Sequence, residues 1–236
     1  MERSITAQLG YEPDAAAHAS DSLDLGVPNS VSRGVYRTFG KRVVDTGLVL
    51  LSLLFTIPVI LICAAIIARD GYFPFFGHTR VGKDGKEFKC WKIRTMVPDA
   101  QQKLQEHLAS CPAARAEWDE TRKLKNDPRI VPFGSFLRKS SLDELPQIFN
   151  VLLGQMSLVG PRPVVREELS YYGNGQRAYL AMRPGITGLW QVSGRNDASY
   201  AERVRFDVSY YKDVSFMRDL SIIFQTLKVV VARNGY

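Results

Sequence analysis

Two adjacent carboxylates, Asp143 and Glu144, stand inside the stretch RKSSLDELPQIFNVLLGQMSLVGPRP, residues 138–163, with cations on both sides. Leu145, Ile148, Phe149 and Leu152 recur at helical spacing, and Ser141 followed by Glu144 reads as a capping box, so a helix is predicted to start here with both acids in its first turn. A helix N-terminus lowers the pKa of a carboxylate and attracts phosphate. An ionised Asp at a phosphate site is suited to act as a nucleophile or as a metal ligand. The plainer reading is that Asp and Glu in a first turn only stabilise the helix. What tells against it is the company: Arg138 and Lys139 precede the pair, and Arg162 is held between Pro161 and Pro163, where its planar fork can meet a phosphate at two points.

Further cations lie upstream. Residues 73–96 contain a Lys-Asp-Gly-Lys turn between two short runs and are expected to form a β-hairpin. A solvated strand face would account for most of its Lys and Arg residues, but Lys92 and Arg94 share one side at period two and are the pair favoured for the site. Downstream, Ser193-Gly194-Arg195-Asn196 is a Gly-rich loop ending near a cation, weak evidence of phosphate binding when taken alone. Cys63, Cys90 and Cys111 lack metal-ligand spacing, and His18, His78 and His107 are scattered, which argues against zinc, a disulfide framework or a Ser-His-Asp triad.

The elements that must position these groups can be read from the rest of the 236 residues. Residues 1–32 have no apolar periodicity and are expected to be a mobile tail. From Thr46 to Ala68 the chain is uncharged and long enough to enter a bilayer. Basic residues flank both ends, and Pro58 lies near the middle, so residues 33–70 are predicted to form a re-entrant helical hairpin that dips in and returns, with Thr56 satisfying a freed carbonyl. Residues 98–125 read as two amphipathic surface helices separated at Pro112, and Met217 to Ala232 as a final helix too short and polar to span. The expected fold is mainly α with a small β-hairpin, monotopic in the membrane, with residues 71–236 as a cytoplasmic catalytic domain. A net charge of +7 suits anionic partners. Nucleic acid is disfavoured because a binding face for it would not be expected beside an apolar hairpin.

Taken together, Lys41-Arg42-x-x-Asp45, Lys92-x-Arg94-Thr95-Met96, Asn126-Asp127-Pro128-Arg129, the block from Ser141 to Pro163, and Arg183-Pro184-Gly185-Ile186-Thr187-Gly188 resemble the bacterial sugar transferase family from Lys41 to the C-terminus. Its small monotopic members are polyprenyl-phosphate hexose-1-phosphate transferases that begin exopolysaccharide assembly. The resemblance implies that Asp143 is the nucleophile, that Glu144 joins it at a Mg²⁺ site, and that Lys92, Arg138 and Arg162 contact phosphates, with Arg195 meeting substrate. The donor implied is a UDP-hexose, galactose by overall likeness; the acceptor is undecaprenyl phosphate, and the place is the cytoplasmic face of a bacterial inner membrane. Self-association and association with polysaccharide assembly enzymes both stay open. The family's membrane break is often Ser-Pro, whereas Ile57 precedes Pro58 here. The rival reading is a non-catalytic basic membrane adaptor, which explains the charge and the apolar segment but not the paired acids.

Overall fold

The uncharged stretch that follows Lys41-Arg42 folds as one α-helix, α1 (Lys41–Ile67), preceded by a π-helical turn at Tyr36–Gly40. This computed structural model describes residues 25–28, 31, 34–121, 124–193 and 198–231. The two-armed hairpin expected from Pro58 is therefore replaced by a single helix with the proline inside it. Proline removes one N–H and frees one carbonyl, that of Leu54. Upstream, Ser52 Oγ donates to Val49 O at 2.8 Å and Thr56 Oγ1 donates to Ser52 O at 3.0 Å, so Thr56 serves a different carbonyl from the one Pro58 frees. One face of α1 buries Asp45, Val49, Ile60, Cys63, Ala64 and Ile67, while Leu50, Leu51, Leu54, Phe55, Leu61 and Ile62 are each more than half exposed. The helix is long and apolar enough to cross a membrane.

Strands β1 (Phe75–Val81) and β2 (Glu87–Ile93) form the expected antiparallel hairpin, with Phe75 opposite Ile93 and Val81 opposite Glu87. Its turn needs positive φ, which Asp84 (56°) and Gly85 (75°) supply. The two expected surface helices follow as α2 (Ala100–Ser110) and α3 (Pro112–Thr121); Pro112 starts the second, where its missing N–H costs nothing. Next come α4 (Gly134–Ser140), a 3₁₀ turn at Leu142–Glu144, α5 (Gln147–Leu152) and β3 (Ser157–Val159).

A second, parallel two-stranded sheet was not legible in the sequence. β3 pairs with β4 (Gly185–Thr187), and α6 (Arg166–Leu169) and α7 (Gln176–Leu180) lie between them in the chain. The strands meet through glycines: a Cβ on Gly185 would lie 2.2 Å from Gly160 N. Gly160 N–H donates to Thr187 O and Gly185 N–H to Pro161 O, so the two Gly-Pro motifs are a single structural clamp. The chain closes with α8 (Leu189–Ser193), α9 (Tyr200–Lys212) and α10 (Phe216–Val231).

The larger core joins Val159, Val164, Tyr172, Tyr179, Val204, Val208, Tyr210 and Ile222. Leu25, Val27 and Val31, expected within a mobile tail, pack against it, and Lys212 Nζ donates to Leu25 O at 3.1 Å. Three separated apolar residues make no periodic pattern, which is why the sequence gives no sign of their seat. α10 buries Asp219 and Ile222 but leaves Phe216, Met217, Phe224 and Leu227 outward.

Asp207 is buried in this core, accepts a hydrogen bond from Tyr172 Oη at 2.7 Å, and has its pKa pushed up to about 7 by burial. A raised carboxyl pKa gives stability that is complete below the unfolded value near 3.8 and is lost as pH rises through about 7. Thermal unfolding in detergent should therefore shift downward between pH 5 and pH 8. Asp207→Asn, which can still accept from Tyr172, should flatten that profile and gain on the order of 3–4 kcal/mol at pH 8 relative to wild type. Identical pH profiles for the two proteins would refute the assignment.

Candidate active site

The paired acids are set by how two helices fail to join. Ser141 takes left-handed backbone (φ 56°), and its N–H donates to Arg138 O, so it terminates α4 instead of starting the next helix. α5 begins only at Gln147, with Pro146 at its N-cap. The expected capping box is absent: Ser141 makes no side-chain cap, and Glu144 turns toward Lys92. Asp143 and Glu144 thus lie in the 3₁₀ turn that links the two helices, not in the first turn of an α-helix.

That placement reverses the expected titration of Asp143. Burial pushes its pKa up to about 6; Lys92 and Arg138 oppose the shift, and the neighbouring Glu144 charge adds to it. At neutral pH the carboxylate is still mostly ionised, held in a desolvated spot between cations. Glu144 behaves differently. Burial would raise its pKa, but Lys92 Nζ, 2.5 Å from Glu144 Oε1, outweighs it together with Arg162 and Arg80, leaving Glu144 below the usual carboxylate range.

Lys92 is positioned by a device that the sequence reading missed. Asn150 on α5 is fully buried; its Oδ1 accepts from Trp91 N–H at 3.1 Å, and its Nδ2 donates to Lys89 O at 2.8 Å and Gln155 Oε1 at 2.6 Å. One amide thereby pins β2 at Lys89 and Trp91, just before Lys92, against the helix that follows the acids.

A cavity of about 430 Å³ opens on Asp143, lined by Arg80, Lys92, Arg94 and Arg138 with Phe76 and His78. This is the size range of sites that hold drug-sized or nucleotide-sized molecules. Arg138 Nε donates to Thr95 Oγ1 at 2.9 Å, which holds Arg138 in the wall of the cavity beside Asp143. Arg94 also borders the cavity, but its guanidinium is engaged by Asp70 at 2.7 Å and by the carbonyls of Phe73 and Met96. Its first role is to tie the end of α1 to the hairpin. On the other side, a smaller cavity of about 50 Å³ is lined by Glu144, Lys92, Arg80, Arg162 and Gln191. Arg162 is exposed on the segment held by the β3–β4 clamp. Arg195 lies outside the described residues.

Arg80 belongs to the site and was passed over among the strand cations. It borders both cavities, and its ion pair among the described residues is to Glu168 at 3.4 Å. Strand alternation alone places it on a face; only the fold shows that this face meets the acids.

Among the described residues, no group of three or more His, Cys, Asp or Glu side chains could hold a metal ion. Asp143 lines the larger cavity and Glu144, paired to Lys92, the smaller one; one or two carboxylates completed by water and substrate phosphate are the donor type that Mg²⁺ takes.

A half-buried acid pair between a nucleotide-sized cavity and a cluster of Arg and Lys is an arrangement suited to phosphoryl transfer on anionic substrates. Residues 36–233 match the family model for bacterial sugar transferases, and the chain belongs to that family. It is 50% identical over 211 residues to a UDP-galactose-lipid carrier transferase of Erwinia amylovora, and 49% identical over 211 residues to an undecaprenyl-phosphate galactose phosphotransferase of Salmonella typhimurium. Each alignment covers 89% of this chain but 44% of the relative, so the chain spans less than half the length of those two proteins. It is also 48% identical over 206 residues to the exopolysaccharide production protein ExoY of Sinorhizobium fredii, covering 86% of this chain and 91% of that one.

Proposed function

We propose that this protein transfers hexose-1-phosphate, with galactose as the hexose, from a UDP-sugar to undecaprenyl phosphate at the cytoplasmic face of a bacterial inner membrane, as the first step of exopolysaccharide repeat-unit assembly. The observation that carries the reading is the buried Asp143 carboxylate, facing a nucleotide-sized cavity with Lys92, Arg138 and Arg80 around it. The names of the Erwinia and Salmonella relatives support the donor and the acceptor. A non-catalytic adaptor would have no use for a desolvated acid among cations.

In this reading Asp143 Oδ attacks the sugar-bearing phosphorus of the UDP-hexose. The P–O bond to UMP breaks, UMP leaves with that electron pair, and a sugar phosphate is left esterified to the carboxylate. An oxygen of the polyprenyl phosphate then attacks the same phosphorus, the acyl–phosphate bond breaks, and Asp143 returns as a carboxylate. Splitting one difficult transfer into two is what a covalent carboxylate contributes. Lys92, Arg138, Arg80 and Arg162 offset charge on the phosphate oxygens. Mg²⁺ held by Asp143 and Glu144 would supply further charge neutralisation.

The membrane reading is monotopic. Val49 and Ile60 pack in one core cluster with Ile148 and Met156, while Cys63 and Ile67 pack in another with Ile93 and Leu137. Both halves of α1 therefore lie against the domain. A helix crossing about 30 Å of hydrocarbon would have to leave it. The exposed apolar stripe of α1 lies in one leaflet, so the acceptor phosphate meets the site at headgroup depth.

The test is to incubate the purified chain with undecaprenyl phosphate, Mg²⁺ and a panel of UDP-hexoses, measuring UMP and extracting the lipid. UDP-galactose is expected to give UMP and a hexose-phosphate lipid in equal amounts. No lipid product with any UDP-hexose would overturn the reading.

A further inference from the structure

Away from the acid pair, Arg37, Lys41, Arg42, Lys83 and Arg183 line a cavity of about 70 Å³ at the foot of α1. An open cavity of about 310 Å³ beside it shares Lys83 and Arg183 and adds Lys86. Neither has a lining residue in common with the two cavities at Asp143 and Glu144. The acids nearby are largely committed. Asp219 takes Lys41 at 2.6 Å, Asp45 accepts from Ser157 Oγ at 2.6 Å, and Glu87 takes Arg166 at 2.8 Å. Among the described residues Arg42, Lys83, Lys86 and Arg183 have no ion-pair partner, and Asp84 alone remains to face them.

Two of these cations are fixed by the backbone. Arg42 donates to Val151 O and, at 2.8 Å, to Leu152 O, while Arg183 Nε donates to Gly154 O at 2.8 Å. They grip the chain on either side of Leu153, whose side chain is 67% exposed. Arg42 is followed at once by Val43, 52% exposed, so the trough sits where α1 changes from charged to apolar. Fixed guanidiniums around an outward leucine at that level match a lipid phosphate with acyl chains beside it.

We infer that this trough binds the phosphodiester of an anionic membrane phospholipid, with Leu153 reaching toward the acyl chains, and so sets the orientation of the active site over the bilayer. The inference rests on the membrane reading of α1. It adds a second phosphate site, separate from that of the acceptor. The smaller cavity is far below nucleotide size, which keeps the donor out of that part of the trough.

The full chain should be floated with vesicles of phosphatidylcholine alone and of phosphatidylcholine mixed with phosphatidylglycerol. Wild type should bind both, the anionic vesicles more tightly. Lys83→Gln, at an exposed turn residue, should lose roughly fivefold of that preference, and Lys83→Gln with Arg183→Gln more, as expected for cations near an anionic surface. Both variants should keep wild-type binding to phosphatidylcholine. Removing two cations elsewhere, Lys103→Gln with Arg205→Gln, should leave the preference in place. An equal loss in that control, or no wild-type preference, would overturn the inference while the membrane reading stands. Failure to float with phosphatidylcholine alone would overturn both. Abolition of the preference by soluble glycerol phosphate would assign the trough to a free phosphate and overturn the lipid assignment.

Discussion

Asp143→Asn is expected to abolish turnover, by a factor of at least about 10³, while making the protein more stable above pH 6. The two effects share one cause. Asp143 is buried, and its pKa is pushed up to about 6 by that burial. A raised carboxyl pKa gives stability that is complete below the unfolded value near 3.8 and is lost as pH rises through about 6. The neutral amide is free of that loss. At pH 8 the variant should therefore gain on the order of 1–3 kcal/mol, and the gain should vanish near pH 4. Thermal unfolding of the metal-free proteins across pH measures it. On the activity side, a donor labelled in its sugar phosphate and given without lipid should mark wild-type protein but not the variant. Initial rates against both substrates should give the parallel lines of a ping-pong mechanism. Intersecting lines with no marked protein would sink the covalent route and leave a role for Asp143 in holding metal.

The second large effect is expected at a residue that touches no substrate. Asn150→Leu should destabilise the protein by about 3 kcal/mol or more, because it strands Trp91 N–H, Lys89 O and the Gln155 amide, all bonded to one buried side chain. It should also lower kcat more than it raises KM for the donor, since Lys92 directly follows the released anchor at Trp91. The pH dependence should move as well: with Lys92 displaced, Glu144 loses the partner that holds its pKa down. A variant of normal stability, or one that is unstable yet has wild-type kinetics per folded molecule, would show that Asn150 does not position Lys92.

The two surface helices, the Lys-Asp-Gly-Lys turn and the apolar run were all readable because each rests on local pattern: apolar period, positive-φ turn residues and uncharged length. The parallel β3–β4 pair was not readable. Three-residue strands carry no period, and their pairing depends on glycines on distant segments coming within van der Waals contact, as Gly160 and Gly185 do. Pro58 misled for the opposite reason: a strong local breaker was absorbed into a helix held by packing along one face.

At the site, residue types and spacing singled out Asp143, Glu144, Lys92, Arg94, Arg138 and Arg162 as candidates, because phosphate chemistry needs acids and cations together and few segments of this chain carry both; the fold brings the others to the two cavities but engages Arg94 with Asp70. Their electrostatics were decided elsewhere. Ser141 could have begun a helix or ended one, and only the packed chain made it the end of α4; the acids then fell in a linking turn instead of at an α-helix N-terminus, and desolvation raised the pKa of Asp143. Arg80 and Asn150 joined the site through the hairpin register and the seat of α5. Composition and motif order by themselves determined which acids and cations are available for phosphate chemistry. Tertiary structure alone decided which carboxylate is dehydrated and which is neutralised by Lys92, because desolvation and charge pairing depend on three-dimensional distance, which sequence separation does not encode.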